Sequence, residues 1–355
     1  MKIFFATFTF VLALIFPAAA EQQAQGEITI AAVGDLMLGG RAEPLLKEFG
    51  PDYPFADVMP ILSKADVVVG NLESSISTRG TAVENKKFTL RAGPIAAQAL
   101  KKAGIRVVTL ANNHSMDFGP LALKDTLAVL DENNILYTGA GMDLDDARSP
   151  AFLKVKGRKI AFLSYSLTFP LEFFASASRP GTAPGYADFV RSDIEKARRS
   201  ADLVVVSFHW GAELMTASKD YQVELGRKAI DWGADLVLGH HPHVLQELEV
   251  YQGRIIAYSL GNFVFGSESN RTNDGIILLL TFQGKSLARV EAVPLDVNNY
   301  RVKYQPRMLR GQPARVALES INTASERFKT TLDITNDRGI IQLAPSLKSA
   351  ETKTG

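Results

Sequence analysis

The sequence predicts an α/β protein, a two-sheet sandwich flanked by helices, and three observations lead there. Between Glu27 and Leu238, short β-branched runs alternate with segments whose apolar residues recur at helical spacing, the pattern of α/β architecture. From Leu245 onward, strands follow one another with turn signals such as Gln252-Gly253 and no long helix, which reads as antiparallel strands completing a second sheet. Polar motifs fall where predicted strands end, and open α/β sheets bind ligands outside those carboxyl ends.

The chain opens with Lys2, an apolar run from Ile3 to Phe16 and Pro17-Ala18-Ala19-Ala20, whose A-x-A ending is that of a signal peptide over residues 1–20. The run is shorter than the roughly 18 residues a spanning helix needs. The expectation is cleavage near Ala20 and a periplasmic or secreted mature chain.

Strands are predicted at Glu27 to Val33, Asp66 to Gly70, Arg106 to Leu110, Ile135 to Thr138, Lys159 to Ser164, Leu203 to Phe208 and Asp235 to Leu238, each a short apolar run. Helices are predicted at Pro54 to Lys64, Pro94 to Lys102, Pro120 to Glu132, Ser192 to Ala201 and Ala217 to Trp232, several opening on Pro or Ser as helix starts do. Ser166 to Ser192, with its prolines and Phe169, Phe173 and Phe174, reads as a long insertion, a lid or binding loop. Glu247 to Val250, Arg254 to Tyr258, Gly275 to Phe282 and Ala288 to Val293 are the later strands. One domain is thus expected over residues 27–300, with residues 301–355 as a C-terminal extension in which Gln312 to Gly355 forms a peripheral helix and a frayed tail.

Of the 355 residues, 46% are hydrophobic and 22% charged, enough to bury a sizeable core. The net charge of +1 gives no electrostatic case for a nucleic-acid partner. With no cysteine, any metal must be held by nitrogen and oxygen.

The strand-end motifs are Gly34-Asp35-Leu36-Met37, Gly70-Asn71-Leu72-Glu73, Asn112-Asn113-His114, His209-Trp210-Gly211-Ala212-Glu213 and Gly239-His240-His241-Pro242-His243. All five histidines lie in three of them. A His-x-His pair, a separate His and Asn, Asp and Glu side chains form the nitrogen and oxygen set suited to a divalent Zn, Mn or Fe. A lone strand-end histidine is usually a packed or surface residue; this clustering points to one shared site.

In order and spelling these motifs resemble the capsule-synthesis CapA family, also called the poly-γ-glutamate biosynthesis family, whose domain is similar to the calcineurin-like metallophosphoesterases. The resemblance runs from Ile28 to Phe265, and Ser259-Leu260-Gly261-Asn262-Phe263 adds to it. It implies a four-layer α/β/β/α fold. It also implies metal ligation by Asp35, Asn113, His209, His241 and His243, with His114 as a catalytic acid. His240 is the extra histidine and reads as a supporting or exposed residue.

Two departures bear on the metal. Where the phosphoesterases place a histidine this chain has Met37, a poor ligand for such cations. Where they place a bridging Asp it has Asn71, for which Glu73 is the candidate substitute. One well-held ion, or two with one held weakly, is therefore expected. A cation there would lower the pKa of a bound water toward ~7 and polarise the scissile oxygen, with His114 protonating the leaving group.

Asp117 reads either as the group that orients His114 or as a helix cap. Arg91, at the end of a strand-like Lys86 to Arg91, reads as a bidentate anion binder or a solvated surface residue. Trp210 and Glu213 either line the pocket or pack, and Asn71 and Asn262 complete the candidate substrate-binding set. Three functions follow as expectations. The first is service to capsule or poly-γ-glutamate-type envelope polymer synthesis, transfer or release, beside membrane-bound polymer-synthesis machinery. The second is metal-dependent hydrolysis of a phosphoester substrate. The third is non-catalytic binding of an anionic envelope polymer.

Overall fold

Period-two alternation decides which face each strand presents. The computed structural model describes residues 26–343. In the strand Ile28–Met37, Ile28, Ile30 and Ala32 point into one apolar layer and Ala31 and Val33 into another. In Leu203–His209, Leu203 and Val205 share the first of those layers while Val204 and Val206 enter a third. Both faces of these strands are covered, so they read as continuous apolar runs.

Three apolar layers separate four structural ones. The middle layer lies between a ten-stranded and a six-stranded sheet. Beside Asn262–Phe265, which pairs with Ile28–Met37, and Arg307–Met308, which pairs with Ser286–Asp296, the first sheet runs Asp333–Thr335, Arg338–Gln342, Ser286–Asp296, Asp274–Gln283, Ile28–Met37, Val67–Leu72, Ile105–Thr109, Leu136–Thr138. The last four are parallel. The second sheet runs Leu248–Tyr251, Arg254–Ala257, Leu236–His240, Leu203–His209, Arg158–Ser166, Ala151–Val155, its inner four strands parallel.

Helices cover the outer faces. Gly119–Glu132 starts on Pro120 and turns Leu123, Leu127 and Leu130 onto the first sheet, at the i, i+4, i+7 spacing of one helix stripe. Ala187–Arg198 and Asp220–Asp231 cover the second sheet with Val190, Ile194, Leu225 and Ala229. This is the expected α/β/β/α sandwich.

Several expectations change. The later strands do not complete one antiparallel sheet: Leu248–Tyr251 and Arg254–Ala257 extend the second sheet, whereas Asp274–Gln283 pairs antiparallel with Ile28–Met37 in the first, and Ser286–Asp296 pairs antiparallel with Asp274–Gln283. Local texture gives strand type but not the sheet joined. The segment from residue 301 does not stand apart. Helix Gly311–Ser325 and strand Arg338–Gln342 place Leu318, Ile321 and Ile341 in the layer between the sheets, so the sandwich continues to residue 343.

Pro54 to Lys64 is not one helix but a turn at Tyr53–Phe55 and a short helix Met59–Leu62, because each proline opens a new helical segment instead of continuing one. Lys86 to Leu90 is not a strand; only Arg91–Ala92 pairs, with Ser75–Ile76. The insertion after Ser166 is tied down by Gly181–Thr182 pairing with Ala140–Gly141, with Phe173 and Phe174 buried and Phe169 76% exposed. Residues 1–20, for which a signal peptide is expected, and residues 344–355, the end of the expected tail, lie outside the described residues. Among the described residues no helix is long and apolar enough to cross a membrane.

Candidate metal centre

Both sheets end on the same polar floor. The register places Asp35 beside Asn71 and Asn262 in the first sheet, and His209 beside His240 in the second. Gly34 makes this approach possible. A Cβ there would lie 2.0 Å from the Gly261 carbonyl oxygen, which accepts the Asp35 N–H at 3.0 Å. After the strand Leu236–His240 the chain turns sharply. His241 and His243 adopt φ of 95° and 59°, sparsely populated conformations for residues with a Cβ, of the kind found at functional sites.

Glu73 is fully buried, and its Oε1 has no hydrogen-bond partner. Around that oxygen lie His209 Nε2 at 3.5 Å, His243 Nε2 at 3.6 Å and His114 Nε2 at 3.9 Å. Tetrahedral ligands on ~2.1 Å bonds stand about 3.4 Å apart, so the first two spacings suit donors sharing one cation. Asn113 Oδ1 is 2.7 Å from the same His209 nitrogen, and the buried Nδ1 of His241 also has no partner. Glu73 with His241 and His243, and Glu73 with Asp35 and His209, form groups whose donor atoms lie within 4.8 Å of one another. The residues fit a divalent cation.

Asp35 is differently placed. Its Oδ1 accepts from Asn71 Nδ2 at 2.9 Å and lies 3.1 Å from His240 Nδ1. Its Oδ2 accepts from the His241 N–H at 3.3 Å and lies 3.2 Å from His243 Nδ1. The Asn71 amide is fixed by its far side, where Oδ1 accepts from Asn112 Nδ2 at 3.1 Å and Thr109 Oγ1 at 3.3 Å. Its nitrogen therefore faces both Asp35 and Glu73, the latter at 3.3 Å.

The electrostatics divide the carboxylates. Burial opposes ionisation of Asp35, but hydrogen bonds from His240 and His243 hold its carboxyl well below the usual range. Burial drives the Glu73 carboxyl well above it, against the pull of His243. Burial also lowers His209 well below the ordinary imidazole value, and His241 to about 3. For His243 burial is outweighed by Glu73 and Asp35, which push it up to about 10.

At the rim stands a dyad. His114 Nδ1 lies 2.6 Å from Asp117 Oδ2, which also accepts the Leu90 N–H at 2.6 Å, while Lys86 bonds Asp117 Oδ1 and the Asn113 carbonyl. Asp117 is fully buried and does not cap the helix Gly119–Glu132, which has no side-chain cap, so its contacts are those of the orienting alternative. Burial lowers His114 below its ordinary value despite Asp117, and lowers Lys86 likewise.

The remaining sequence-predicted residues scatter. Trp210 belongs to the core and is fully buried: it stacks on Phe208 at 4.7 Å and donates to the Tyr258 carbonyl at 2.9 Å, which leaves no face for a substrate. Asn71 is likewise buried, its polar atoms spent on Asp35, Glu73, Asn112 and Thr109. Asn262 is turned to His243 Nδ1 at 2.9 Å. Arg91 is half-buried with its guanidinium 4.1 Å over the Phe118 ring. Glu213 is exposed, near enough for its charge to act on Glu73 and Lys86. His240 is buried beneath Asp35, as its supporting reading has it.

The sequence reading missed Lys86 as part of the dyad, and Thr109 as a prop of Asn71. Lys86 lies 31 residues from Asp117 in a segment without regular structure, so no periodicity could have joined them.

Comparison with known proteins gives the following. A family model described as bacterial capsule synthesis protein PGA_cap matches residues 29–267. The chain is 34% identical over 287 residues to the capsule biosynthesis protein CapA of Bacillus anthracis, covering 79% of this chain and 70% of that one. It is 36% identical over 268 residues to the PGA biosynthesis protein CapA of Bacillus subtilis (strain 168), covering 75% and 70%. Among solved structures it is similar to the NAD nucleotidase of Haemophilus influenzae, at 12% identity and a TM-score of 0.47, covering 84% of this chain and 63% of that one.

Proposed function

The chain belongs to the bacterial capsule synthesis PGA_cap family, and from that premise we propose that it is an exported protein whose metal-dependent, hydrolase-like site acts on an anionic envelope polymer of the poly-γ-glutamate type. The observation that carries the chemical part is the unpartnered, buried Glu73 Oε1 facing the imidazole nitrogens of His209 and His243 beside a preformed His114–Asp117 pair. A neutral protein interior does not keep such an oxygen without a counter-charge.

Glu73, Asn113, His209, His241 and His243 are the residues that would hold a divalent cation, with Asp35 beneath them. When bound, it supplies Lewis acidity toward a substrate oxygen. The residues of the chain do the rest. Asp117 fixes the His114 ring through Nδ1, leaving Nε2, bare while the ring is neutral, on the Glu73 side to take a proton from an attacking water and pass it to a leaving group. Lys86 holds Asp117 in place through Oδ1. Export rests on the Lys2 to Ala20 segment.

The test is an assay of the purified mature chain, stripped of metal and reloaded with Mn or Zn, on a γ-linked glutamate polymer and on a chromogenic phosphoester. Cation-dependent shortening or transfer of the polymer, abolished in His114→Ala, is the expected result. Turnover of the phosphoester alone would replace the polymer reading with the phosphoesterase one. Polymer binding without turnover under any cation would leave a binding protein.

A further inference from the structure

We infer that the centre takes a single divalent cation, seated at Glu73 Oε1, and that the place of a second one is filled by the chain's own hydrogen-bond donors around Asp35. This rests on the metal-binding part of the function proposed above.

A carboxylate has about four lone-pair positions. On Asp35 two are taken by donors of fixed identity, the Asn71 amide on Oδ1 and the His241 backbone N–H on Oδ2. The other two face His240 Nδ1 at 3.1 Å and His243 Nδ1 at 3.2 Å. A ring nitrogen this close to an oxygen needs a hydrogen between them, so His240 presents its Nδ1 hydrogen to Asp35, and His243 shares its own between Asp35 and Asn262 Oδ1, 2.9 Å away. Each Asp35 oxygen thus has one donor of fixed identity and an imidazole beside it, which leaves the carboxylate poorly placed to take a cation although it lies near enough to Glu73 and His209 to be counted with them.

The neighbouring positions agree. Asn71 stands between the two carboxylates as a neutral amide whose nitrogen touches both, a donor where a bridging ligand would have to accept. Met37, 2% exposed, adds only a thioether. By contrast Glu73 Oε1 is unpartnered, and the His209 and His243 nitrogens stand 3.5 and 3.6 Å from it. Asp35 is then a positioning residue. It holds Nδ1 of His243 so that Nε2 faces Glu73, as outer carboxylates do for metal-bound histidines.

The experiment measures cation content of the full mature chain by elemental analysis after reloading with Mn and desalting, together with its electron paramagnetic resonance spectrum. One Mn per chain with the six-line signal of an isolated ion is expected, falling to none in Glu73→Gln. The double variant Met37→His with Asn71→Asp should bind a second ion and show a coupled spectrum. Two ions per chain, or a coupled spectrum, in the unmodified protein would overturn the inference and leave the proposed function standing. No bound ion in the unmodified protein would overturn both, and retention of the ion by a folded Glu73→Gln chain would overturn the assignment of Glu73. Circular dichroism of each variant separates lost ligation from lost folding.

Discussion

At the scale of the residue, a fully buried Glu73 and a half-buried His243 face each other across 3.6 Å, and each changes the other's hold on protons. His243, pushed up to about 10, carries a proton at neutral pH in the metal-free protein, and a cation must displace it. Uptake at pH 7 should therefore release about one proton or more per chain. Calorimetric titrations in buffers of differing ionisation enthalpy will measure it; an apparent heat independent of buffer would contradict the charge state of the pair. On the other side of the centre, Asp117→Asn removes the acceptor that fixes His114. Turnover should fall about 10²- to 10⁴-fold, the usual contribution of a positioned acid, with cation content unchanged. Equal loss of metal and activity would mean that Asp117 supports the ligands instead.

The histidines and their Asn and Asp companions were legible in the sequence because they cluster at strand ends. Lys86 was not, since only the tertiary fold brings it to Asp117. Trp210 takes the packing alternative: alternation along an extended chain sends His209 to the floor and Trp210 into the helix-covered layer.

Among the elements, the parallel strands of both sheets could be read in order, because burial on both faces writes them as unbroken apolar runs. Which sheet a later strand joins could not, as antiparallel pairing leaves the same alternation in either. The least legible element was the helix Gly311–Ser325. Its Leu318 and Ile321 look like an ordinary amphipathic stripe, yet they fill the layer between the sheets. Leu318→Ala should cost about 2–5 kcal/mol in denaturant unfolding, the range of buried leucine truncations. A loss below about 0.5 kcal/mol, typical of surface changes, would return the helix to the periphery.

The opening strand offers a second test. Gly34→Ala sets a methyl carbon against the Gly261 carbonyl oxygen, so the strand and the turn must separate. The change should destabilise the fold by about 1–3 kcal/mol, as overpacking does, and weaken cation binding as well, since Asp35 hangs on that contact. Unchanged metal affinity would show that Asp35 does not depend on the Gly261 carbonyl for its position.

For the whole molecule, the acid–base properties of the centre set a stability profile. His209, His241 and His114 are held neutral below the ordinary value of 6.5, so the unfolded chain binds more protons than the folded one beneath that pH, and stability falls as pH drops. His243 acts oppositely. Its contribution is complete below 6.5 and is lost as pH rises toward 10. Thermal unfolding of the metal-free chain should thus peak near pH 6.5, and a steady rise between about pH 5 and pH 9 would contradict the assignment. A cation at a hundred times its dissociation constant adds about 2.7 kcal/mol to the folded state.

That gain is not spread evenly. Glu73 and Asn113 follow strands of the first sheet, while His209 ends and His243 follows strands of the second, so a cation held by all four would rivet the two halves of the sandwich at one end of their seam. Copies without an ion would keep their hydrophobic interior but gape at that end. Limited proteolysis would cut them first after Asn113 and around Pro242, so that capture of an ion would decide which molecules outlast a protease.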